Sequence, residues 1–289
     1  MSSLATPDRR LGFSEAEKAL SPYAPFFNER MAPLPAHVRE ALLMGAQAQE
    51  LLLPVQAAKE LQQPGYWPIE TGYTVSPDGE LRVFVLTHMP GVTPAMWDWW
   101  FAWHGSHAQR YKLWHPQAHV HVAWQDGRSD LSHYVGRISR VVEYVGPTCM
   151  DVTVAFVPPA QLGLDEKQLA ADGEVAICAS GGIAGTPLET GWLIHHLRPV
   201  PGGTEMRSRF WLGGANVRAR GLLKPLGPVI GRIASRLQPL TATQGAELLV
   251  HCAQEMNHLA GILPALHRSF HTPDPAGTGA AGVTAKSSG

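Results

Sequence analysis

The feature that most constrains the fold is a series of strand-like segments followed by one long helical segment. The strand-like segments are 81–89, 118–124, 136–146, 149–159 and the later stretches EVAICAS, ETGWLIHHLRPV and TEMRSRFWLGG. The last long segment, 241–263, has the apolar spacing of a helix. Consecutive strands followed by a helix favour an α+β domain over alternating βαβ units. We therefore expect a helix-grip fold, in which a curved antiparallel sheet surrounds the C-terminal helix and leaves a ligand cavity between them.

Residues 1–75 are predicted to form a small N-terminal helical arm or cap. Ser14, with Glu17 three residues later, has the pattern of a capping box at the start of a helix. A second helix is predicted along PAHVREALLMGAQAQELL, with Pro35 near its start. The stretch QQPGYWP, at about 63–68, ends this helical pattern.

The rest of the chain divides into a helix-grip domain at 76–266 and a tail at 267–289. The tail is rich in Gly, Ala, Ser, Thr and Pro, which predicts disorder. Within the domain, TPAMWDWWFAWHGSHAQRY predicts one helix that begins with Thr93 as N-cap and Pro94 at its first position. The apolar face predicted for this helix comprises Met96, Trp99, Trp100 and Trp103.

The composition limits the partners and the location of the protein. Its 289 residues carry a net charge of −1, which argues against nucleic acid as the main partner. We expect no membrane partner, because the chain has no apolar run long enough to span a bilayer and its N-terminus lacks the apolar core of a signal peptide. Three scattered cysteines predict a reduced, cytoplasmic protein. Only 16% of the residues are charged, which favours self-association, for example as a homodimer.

Several residue types that bind metals occur at suitable spacings, although each has an alternative structural explanation. His251 and Glu255 are four residues apart in the predicted C-terminal helix, which places them on one face, as in helical zinc sites or in a surface hydrogen bond. His119 and His121 alternate in one strand and are expected to share a side, where either could bind a metal or form hydrogen bonds. Glu143 lies among valines, so it is either a buried, paired carboxylate or an outward-facing one.

The other histidines are interpreted as mainly structural. His104 and His107 lie near the end of the tryptophan-rich helix, whose negative C-terminal dipole they would face. His115 precedes a proline and is expected to fix a turn. His195 and His196 point to opposite faces of their strand, so one of them can enter a cavity. The sequence has no nucleophile elbow of the type G-x-S-x-G, no phosphate loop and no dinucleotide fingerprint.

Three motifs together resemble one enzyme family. MWDWWFAWHGSHAQRYKLWHPQAHV, SRFWLGG and the terminal HCAQE helix resemble the 2,4-diacetylphloroglucinol hydrolase family, which includes phloretin hydrolase, over about residues 70–265. The resemblance implies a helix-grip (Bet v 1-like) catalytic domain that hydrolyses the C–C bond between a polyphenol ring and an acyl carbon. It also implies one Zn²⁺ per chain, whose ligands would be His119, Glu143, His251 and Glu255.

The resemblance further implies residues that contact the substrate, and it reveals two departures. Tyr111 matches a tyrosine among the polar groups that hold the acyl oxygen and the ring hydroxyls, and His195 matches a histidine near the substrate hydroxyls. Val122 occupies a position where the family has an asparagine, and Phe210 one where it has a tyrosine. Because a site built to bond a hydroxyl discriminates strongly, these two substrate-binding positions predict a changed substrate.

Two other functions stay open at this stage. A helix-grip protein can carry a hydrophobic ligand without catalysis, and the losses at Val122 and Phe210 favour that function. Alternatively, a zinc enzyme can catalyse an altered reaction, such as that of a lyase or cyclase, on a polyketide or β-diketone. Two histidines and two carboxylates also suit iron, cobalt or manganese. Retention of all four predicted ligands favours the hydrolase, since a carrier has no need of zinc.

Overall fold

The computed structural model describes residues 10–130, 132–220, 224–225, 229, 233 and 239–271. In this part of the chain the strands are β1 (Gly72–Val75), β2 (Glu80–Pro90), β3 (His119–Trp124), β4 (Ile138–Val145), β5 (Thr148–Val157), β6 (Val175–Ile183), β7 (Leu188–Val200), β8 (Gly203–Gly213) and β9 (Arg218–Ala219). The α-helices are α1 (Glu15–Leu20), α2 (Ala36–Met44), α3 (Pro94–Trp103), α4 (Ala108–Trp114), α5 (Glu166–Asp172) and α6 (Ala242–Phe270). Short 3-10 helices lie at Ala24–Phe26, Gln49–Leu51, Val55–Gln62, His104–Ser106, Pro159–Leu162 and Gly214–Asn216.

The nine described strands form one antiparallel sheet that curves around α6. Their order is β1-β2-β8-β7-β6-β5-β4-β3, and β9 pairs with the start of β7. The hairpin predicted between β4 and β5 is present, with Gly146 in its turn at φ +56°. Helix α6 packs across β1, β2 and β4. The predicted α+β helix-grip fold is therefore confirmed.

Helix α6 is stabilised by a capping box at its start and by an apolar face along its length. Thr241 and Gln244 form a capping box, which satisfies two backbone N–H groups at the start of the helix. The fully buried apolar residues recur every three or four positions and face the concave side of the sheet; they are Leu249, Cys252, Ala253, Met256, Leu259, Leu263 and Leu266. Burying each leucine side chain contributes about 1.5–3 kcal/mol. The helix ends at Phe270, seven residues beyond the end of the predicted segment.

The convex face of the sheet is covered by the segment that precedes β1. A second apolar cluster joins the 3-10 helices of this segment to β2, β6, β7 and β8, with Leu53, Leu61 and Trp211 fully buried in it. Glu70 forms ion pairs with Arg207 and Arg209, two buried arginines of β8. Burial alone raises the pKa of Glu70, but the two guanidinium groups outweigh it and hold that pKa below its usual value. The N-terminal segment is thus held against the sheet by both packing and charge.

The second N-terminal helix is shorter than predicted. Helix α2 ends at Met44 because Gly45 caps it at φ +73°, and residues 49–51 form only one 3-10 turn. The predicted capping box between Ser14 and Glu17 is present. Strand β1 begins at Gly72, before the predicted boundary at 75. The division into an arm, a catalytic domain and a tail stays a prediction. Residues 267–270, which were predicted to belong to the disordered tail, form the end of α6, and the tail beyond position 271 lies outside the described residues.

The tryptophan-rich segment forms two helices and not one. Helix α3 ends at Trp103, a 3-10 turn follows at His104–Ser106, and α4 begins at Ala108. Gly105 lies in that turn against the ring of Trp124, where a Cβ atom would come within 2.6 Å of ring carbons. Thr93 makes no side-chain cap. Of the predicted apolar face, Trp100 is fully buried, whereas Met96, Trp99 and Trp103 are only partly buried, and Trp97, which the prediction omitted, is fully buried. This break places Tyr111 of α4 beneath the start of β3.

No helix among the described residues is long and apolar enough to cross a membrane. The three cysteines are free, and Cys178 and Cys252 are buried.

Candidate metal centre and adjoining cavity

A β-bulge determines which histidine of β3 faces the interior. His119 pairs with Glu143 of β4, and His121 pairs with the adjacent residue Val142. Strand β3 therefore spans two residues where β4 spans one, which is a β-bulge. His119 is fully buried at the helix side of the sheet, and Val122 joins the main core beyond the bulge. His121 is half-buried on the other face. The prediction that the two histidines share a side is therefore wrong, because the bulge interrupts the alternation.

The other two candidate ligands come from α6, as the four-residue spacing predicts. His251 and Glu255 are both buried, one turn apart, on the face of α6 that meets β3 and β4. The Nε2 atom of His251 lies 3.8 Å from Oε2 of Glu255, and Nε2 of His119 lies 3.3 Å from the same oxygen. Oε2 of Glu143 is 3.6 Å from Nε2 of His119. Two sheet residues and two helix residues therefore meet at one point.

The spacing of these atoms fits a tetrahedral cation. Zinc with ligands at about 2.0–2.1 Å separates neighbouring ligand atoms by about 3.4 Å. The measured contacts of 3.3 to 3.8 Å between imidazole nitrogens and carboxylate oxygens are close to that value. One ligand atom from each of His119, Glu143 and His251 lies within 4.8 Å of the others. Glu255 is not part of that group of three, but its Oε2 contacts both histidines and makes it the candidate for a fourth ligand.

The environment of His119 prepares its Nε2 atom for a cation. Its Nδ1 atom is 3.0 Å from the backbone carbonyl of Tyr111, and because a carbonyl only accepts, Nδ1 carries the proton and Nε2 carries the lone pair. Among the described residues no hydrogen-bond partner reaches Nε2, which is buried. The ring of Tyr111 stacks on the His119 ring with centroids 3.8 Å apart, and its hydroxyl donates to Glu143. Tyr111 thus orients one ligand from each strand.

Burial shifts the pKa values at this cluster towards the uncharged forms. Burial, reinforced by the charge of Glu143, raises the pKa of Glu255 well above its usual value. Burial also raises the pKa of Glu143, against the hydrogen bond from Tyr111. It lowers the pKa of His251 to about 4, and with His251 nearby it lowers the pKa of His119 well below its usual value. Two neutral imidazoles beside one buried and one partly buried carboxylate form a donor set that suits a divalent cation, whose charge would offset both carboxylates.

A cavity of about 100 Å³ adjoins this cluster. His251, Glu255, Glu143 and Tyr111 form one end of it. The remaining walls are mostly apolar and aromatic; they comprise Phe101, Trp114, Val141, Val154, Phe156, Leu193, Phe210 and Leu248, together with His104, Ser139 and His195. A mostly apolar chamber with a few convergent polar groups has the usual composition of a small-molecule binding site.

Comparison with known proteins agrees with this geometry. Residues 52–268, most of the chain, match the protein family described as the DAPG hydrolase PhiG domain. The chain belongs to this family. The resemblance predicted from the tryptophan-rich, SRFWLGG and HCAQE motifs is thereby confirmed.

Relatives in the DAPG hydrolase family extend over nearly the whole chain. A 2,4-diacetylphloroglucinol hydrolase from Pseudomonas sp is 32% identical over 271 residues, which cover 87% of this chain and 89% of that protein. A phloretin hydrolase from Eubacterium ramulus is 30% identical over 281 residues, which cover 92% of this chain and 96% of that protein.

Solved structures are more distant. The crystal structure of Ara h 8.0201 aligns with 65% of this chain and 99% of its own, at 13% identity and a TM-score of 0.38. The ginseng major latex-like protein 151 from Panax ginseng aligns with 60% of this chain and 97% of its own, at 8% identity and a TM-score of 0.30. These similarities are low, so the fold assignment rests on the sheet order and on α6.

Two further residues proposed from the family pattern lie at the cavity, and one does not. His195 lines it and shares a 2.8 Å hydrogen bond, through Nδ1, with the hydroxyl of Ser208. Burial lowers the pKa of His195 to about 3, so the ring is neutral. Phe210 also lines the cavity. Val122 is buried in the core opposite Val141 and is not among the described residues that line the cavity, so its role in substrate binding stays a prediction.

Sequence reasoning did not assign three polar residues to the candidate site. His104 lines the cavity with Nδ1 bonded to the Trp100 carbonyl at 2.9 Å, and burial lowers its pKa to about 4, so it is neutral and does not act as a charge at the helix end. His115 packs on His251 with ring centroids 5.1 Å apart, and its carbonyl also accepts from the N–H groups of Ala118 and His119 in the predicted turn before β3. Ser139, four residues before Glu143 in β4, also lines the cavity. Its period-two relation to Glu143 was the signal that could have found it.

Proposed function

We propose that this protein is a zinc-dependent hydrolase that cleaves the C–C bond between an acyl group and a phloroglucinol-type ring, or a related β-diketone. The observation that carries the proposal is the convergence of His119, Glu143, His251 and Glu255 at the end of an aromatic cavity. The substrates in the names of the family relatives, 2,4-diacetylphloroglucinol and phloretin, support an acylated polyphenol as the substrate class.

The reaction consumes one water molecule. Oxygen from water joins the acyl carbon, the bond from that carbon to the ring breaks, and the ring carbon gains a proton, which gives a carboxylic acid and the deacylated polyphenol. When bound, zinc acts as a Lewis acid and lowers the pKa of water towards about 7. The ring accepts the electron pair as an enolate, because its hydroxyls allow a β-diketone-like tautomer, so no redox cofactor is needed.

The residues of the chain have distinct tasks in this reaction. The hydroxyl of Tyr111 lies at the carboxylate end of the cavity, and its single proton, donated to Glu143 in this structure, turns to the acyl oxygen as negative charge develops there. Neutral His195, oriented by Ser208, is available to hydrogen-bond a ring oxygen or to transfer a proton at the ring. The aromatic walls, which include Phe210, exclude water from the ring.

Metal content tests this function most directly. We expect purified protein to hold one zinc per chain, and His251→Ala and Glu255→Ala to lose it, because each removes a ligand atom at the point of convergence. His258→Ala is the matched control, since His258 is a buried histidine on α6 that is not part of the four-residue cluster. The wild type should also release free acid from acylated phloroglucinols.

The outcomes separate the alternatives. Wild-type protein that stays metal-free after zinc is supplied would contradict the hydrolase and favour a carrier of hydrophobic ligands. Bound zinc without acid release from any acylated polyphenol would favour a zinc enzyme of altered reaction. Loss of zinc in His258→Ala as well would show that the effect is not specific to the proposed ligands.

We also propose a cytoplasmic protein that forms a homodimer. The free state of all three cysteines supports a reducing compartment. The low share of charged residues, 16%, supports self-association. Light scattering of the purified chain tests the dimer, and a monomeric mass would contradict it.

A further inference from the structure

One buried hydroxyl in the cavity has no function in the proposed reaction. Ser139 is 2% exposed, and no hydrogen-bond partner within the described residues reaches its Oγ atom. A buried hydroxyl left without a partner costs about 1–3 kcal/mol. A serine is therefore an unfavourable residue at this position unless something absent from the protein itself completes its hydrogen bond.

The position of Ser139 points its side chain into the cavity. Ser139, Val141 and Glu143 alternate along β4, and all three line the cavity. Val154, the cross-strand partner of Ser139 on β5, lines it as well. The hydroxyl thus lies in an otherwise apolar wall, where a ligand is the available partner.

The same strand gives the orientation of a ligand. Glu143 belongs to the cluster that would hold zinc, and Ser139 lies four residues before it, about 13 Å along the strand. An acyl carbonyl placed at the Glu143 end directs the ring towards the Ser139 end. The ring substituent farthest from the acyl group is the hydroxyl para to it.

We propose that Ser139 is a specificity-determining residue, whose hydroxyl hydrogen-bonds the ring hydroxyl para to the acyl group. This inference rests on the proposed hydrolysis of acylated polyphenols and adds the ring position that the site recognises. Ser139 is on β4, the strand next to β3, and it pairs with Trp124 of β3. It therefore supplies a polar group from β4, whereas β3 has only Val122 at the family's asparagine position.

Three substrates and one substitution test the inference. The substrates are monoacetylated phloroglucinol, its analogue without the para hydroxyl, and its analogue without one ortho hydroxyl. We expect Ser139→Ala to reduce the preference in kcat/KM for the parent over the para-deoxy analogue about tenfold, the value of one neutral hydrogen bond. The preference over the ortho-deoxy analogue should stay unchanged. The intrinsic reactivity of each ring cancels, because each ratio is compared between variant and wild type.

Ser180→Ala is the matched control. Ser180 is also a buried serine of the sheet, but its hydroxyl already donates to Glu189 and it is not a cavity residue among those described. It should leave both preferences unchanged. An unchanged para preference in Ser139→Ala, or an equal loss for para and ortho analogues, overturns the inference while the proposed function stands.

Binding separates failure of the inference from failure of the proposed function. Calorimetric Kd values for the same three compounds report on Ser139 even if the wild type hydrolyses none of them, an outcome that would overturn the proposed reaction alone. A tenfold loss of para preference in Kd supports the contact. No binding of any of the three compounds to zinc-loaded wild type overturns both.

Discussion

Replacing Tyr111 by phenylalanine is expected to weaken zinc binding about 10–100-fold. The hydroxyl of Tyr111 is buried and donates to the carboxylate of Glu143, and hydrogen bonds of this charge-assisted kind contribute about 1.5–3 kcal/mol. Since about 1.4 kcal/mol corresponds to tenfold in affinity, loss of the bond gives the stated range, which is also typical for groups that orient metal ligands. The ring stack on His119 and the carbonyl that fixes its tautomer survive the substitution.

The assay is competition with a chelator of known zinc affinity, followed by kinetics at saturating zinc. At saturating zinc, a weaker zinc affinity no longer lowers the rate. Any remaining loss of kcat therefore measures the lost hydrogen bond from Tyr111 to the acyl oxygen. We expect kcat to fall about 100-fold, as for the loss of one oxyanion donor. An unchanged Kd for zinc would refute the argument that the Tyr111 hydroxyl orients Glu143.

Tyr134→Phe is the matched control for this prediction. The Tyr134 hydroxyl donates to Asp98 at 2.7 Å, and the residue is buried in the same aromatic core, so the substitution removes a comparable bond to a carboxylate. It should lower stability without changing the zinc Kd. Equal losses of zinc affinity in both variants would indicate general loosening of the core.

Two further predictions concern stability, each with a simple measurement of unfolding. Gly105→Ala should lower the free energy of unfolding by about 1–3 kcal/mol, because its Cβ would lie 2.6 Å from the Trp124 ring. Gly261→Ala is the control: it has open space around it in α6 and should be neutral or stabilising. Equal effects of the two substitutions would contradict this prediction. Glu70→Gln should destabilise by about 3 kcal/mol at neutral pH. Because the pKa of Glu70 is lowered in the folded state, its contribution is present above the unfolded pKa of about 4.3 and is lost as pH falls through the folded value, so the difference from wild type should shrink in acid; a constant difference would contradict it.

Local sequence patterns were sufficient for the elements that carry the site. The alternation of β4 and the apolar stripe of α6 depend only on neighbouring residues, and they correctly gave the helix-grip fold. The pair of His251 and Glu255 followed from helical geometry alone, because residues four apart share a face. These features need no knowledge of the rest of the chain.

The meeting of the sheet ligands could not be predicted from local patterns. It depends on the register that places His119 opposite Glu143 and on a bulge that an alternating sequence does not reveal. The break between α3 and α4 depends on the close approach of Trp124 to Gly105, a contact across the fold. The polar groups at His104 and Ser139 were missed for the same reason, since their importance comes from the cavity that they line.

The two carboxylates at the candidate metal centre indicate that this cluster serves function and not stability. Glu255 is buried and Glu143 is largely but not fully buried, and the charge of Glu143 raises the pKa of Glu255, so ionising both in the folded protein is unfavourable. Apolar residues of similar size would stabilise this junction of sheet and helix at least as well. Groups with pKa values shifted by burial, set at the end of a cavity, are typical of sites at which binding or catalysis occurs. A divalent cation removes this cost, so zinc should stabilise the folded chain as well as supply the chemistry.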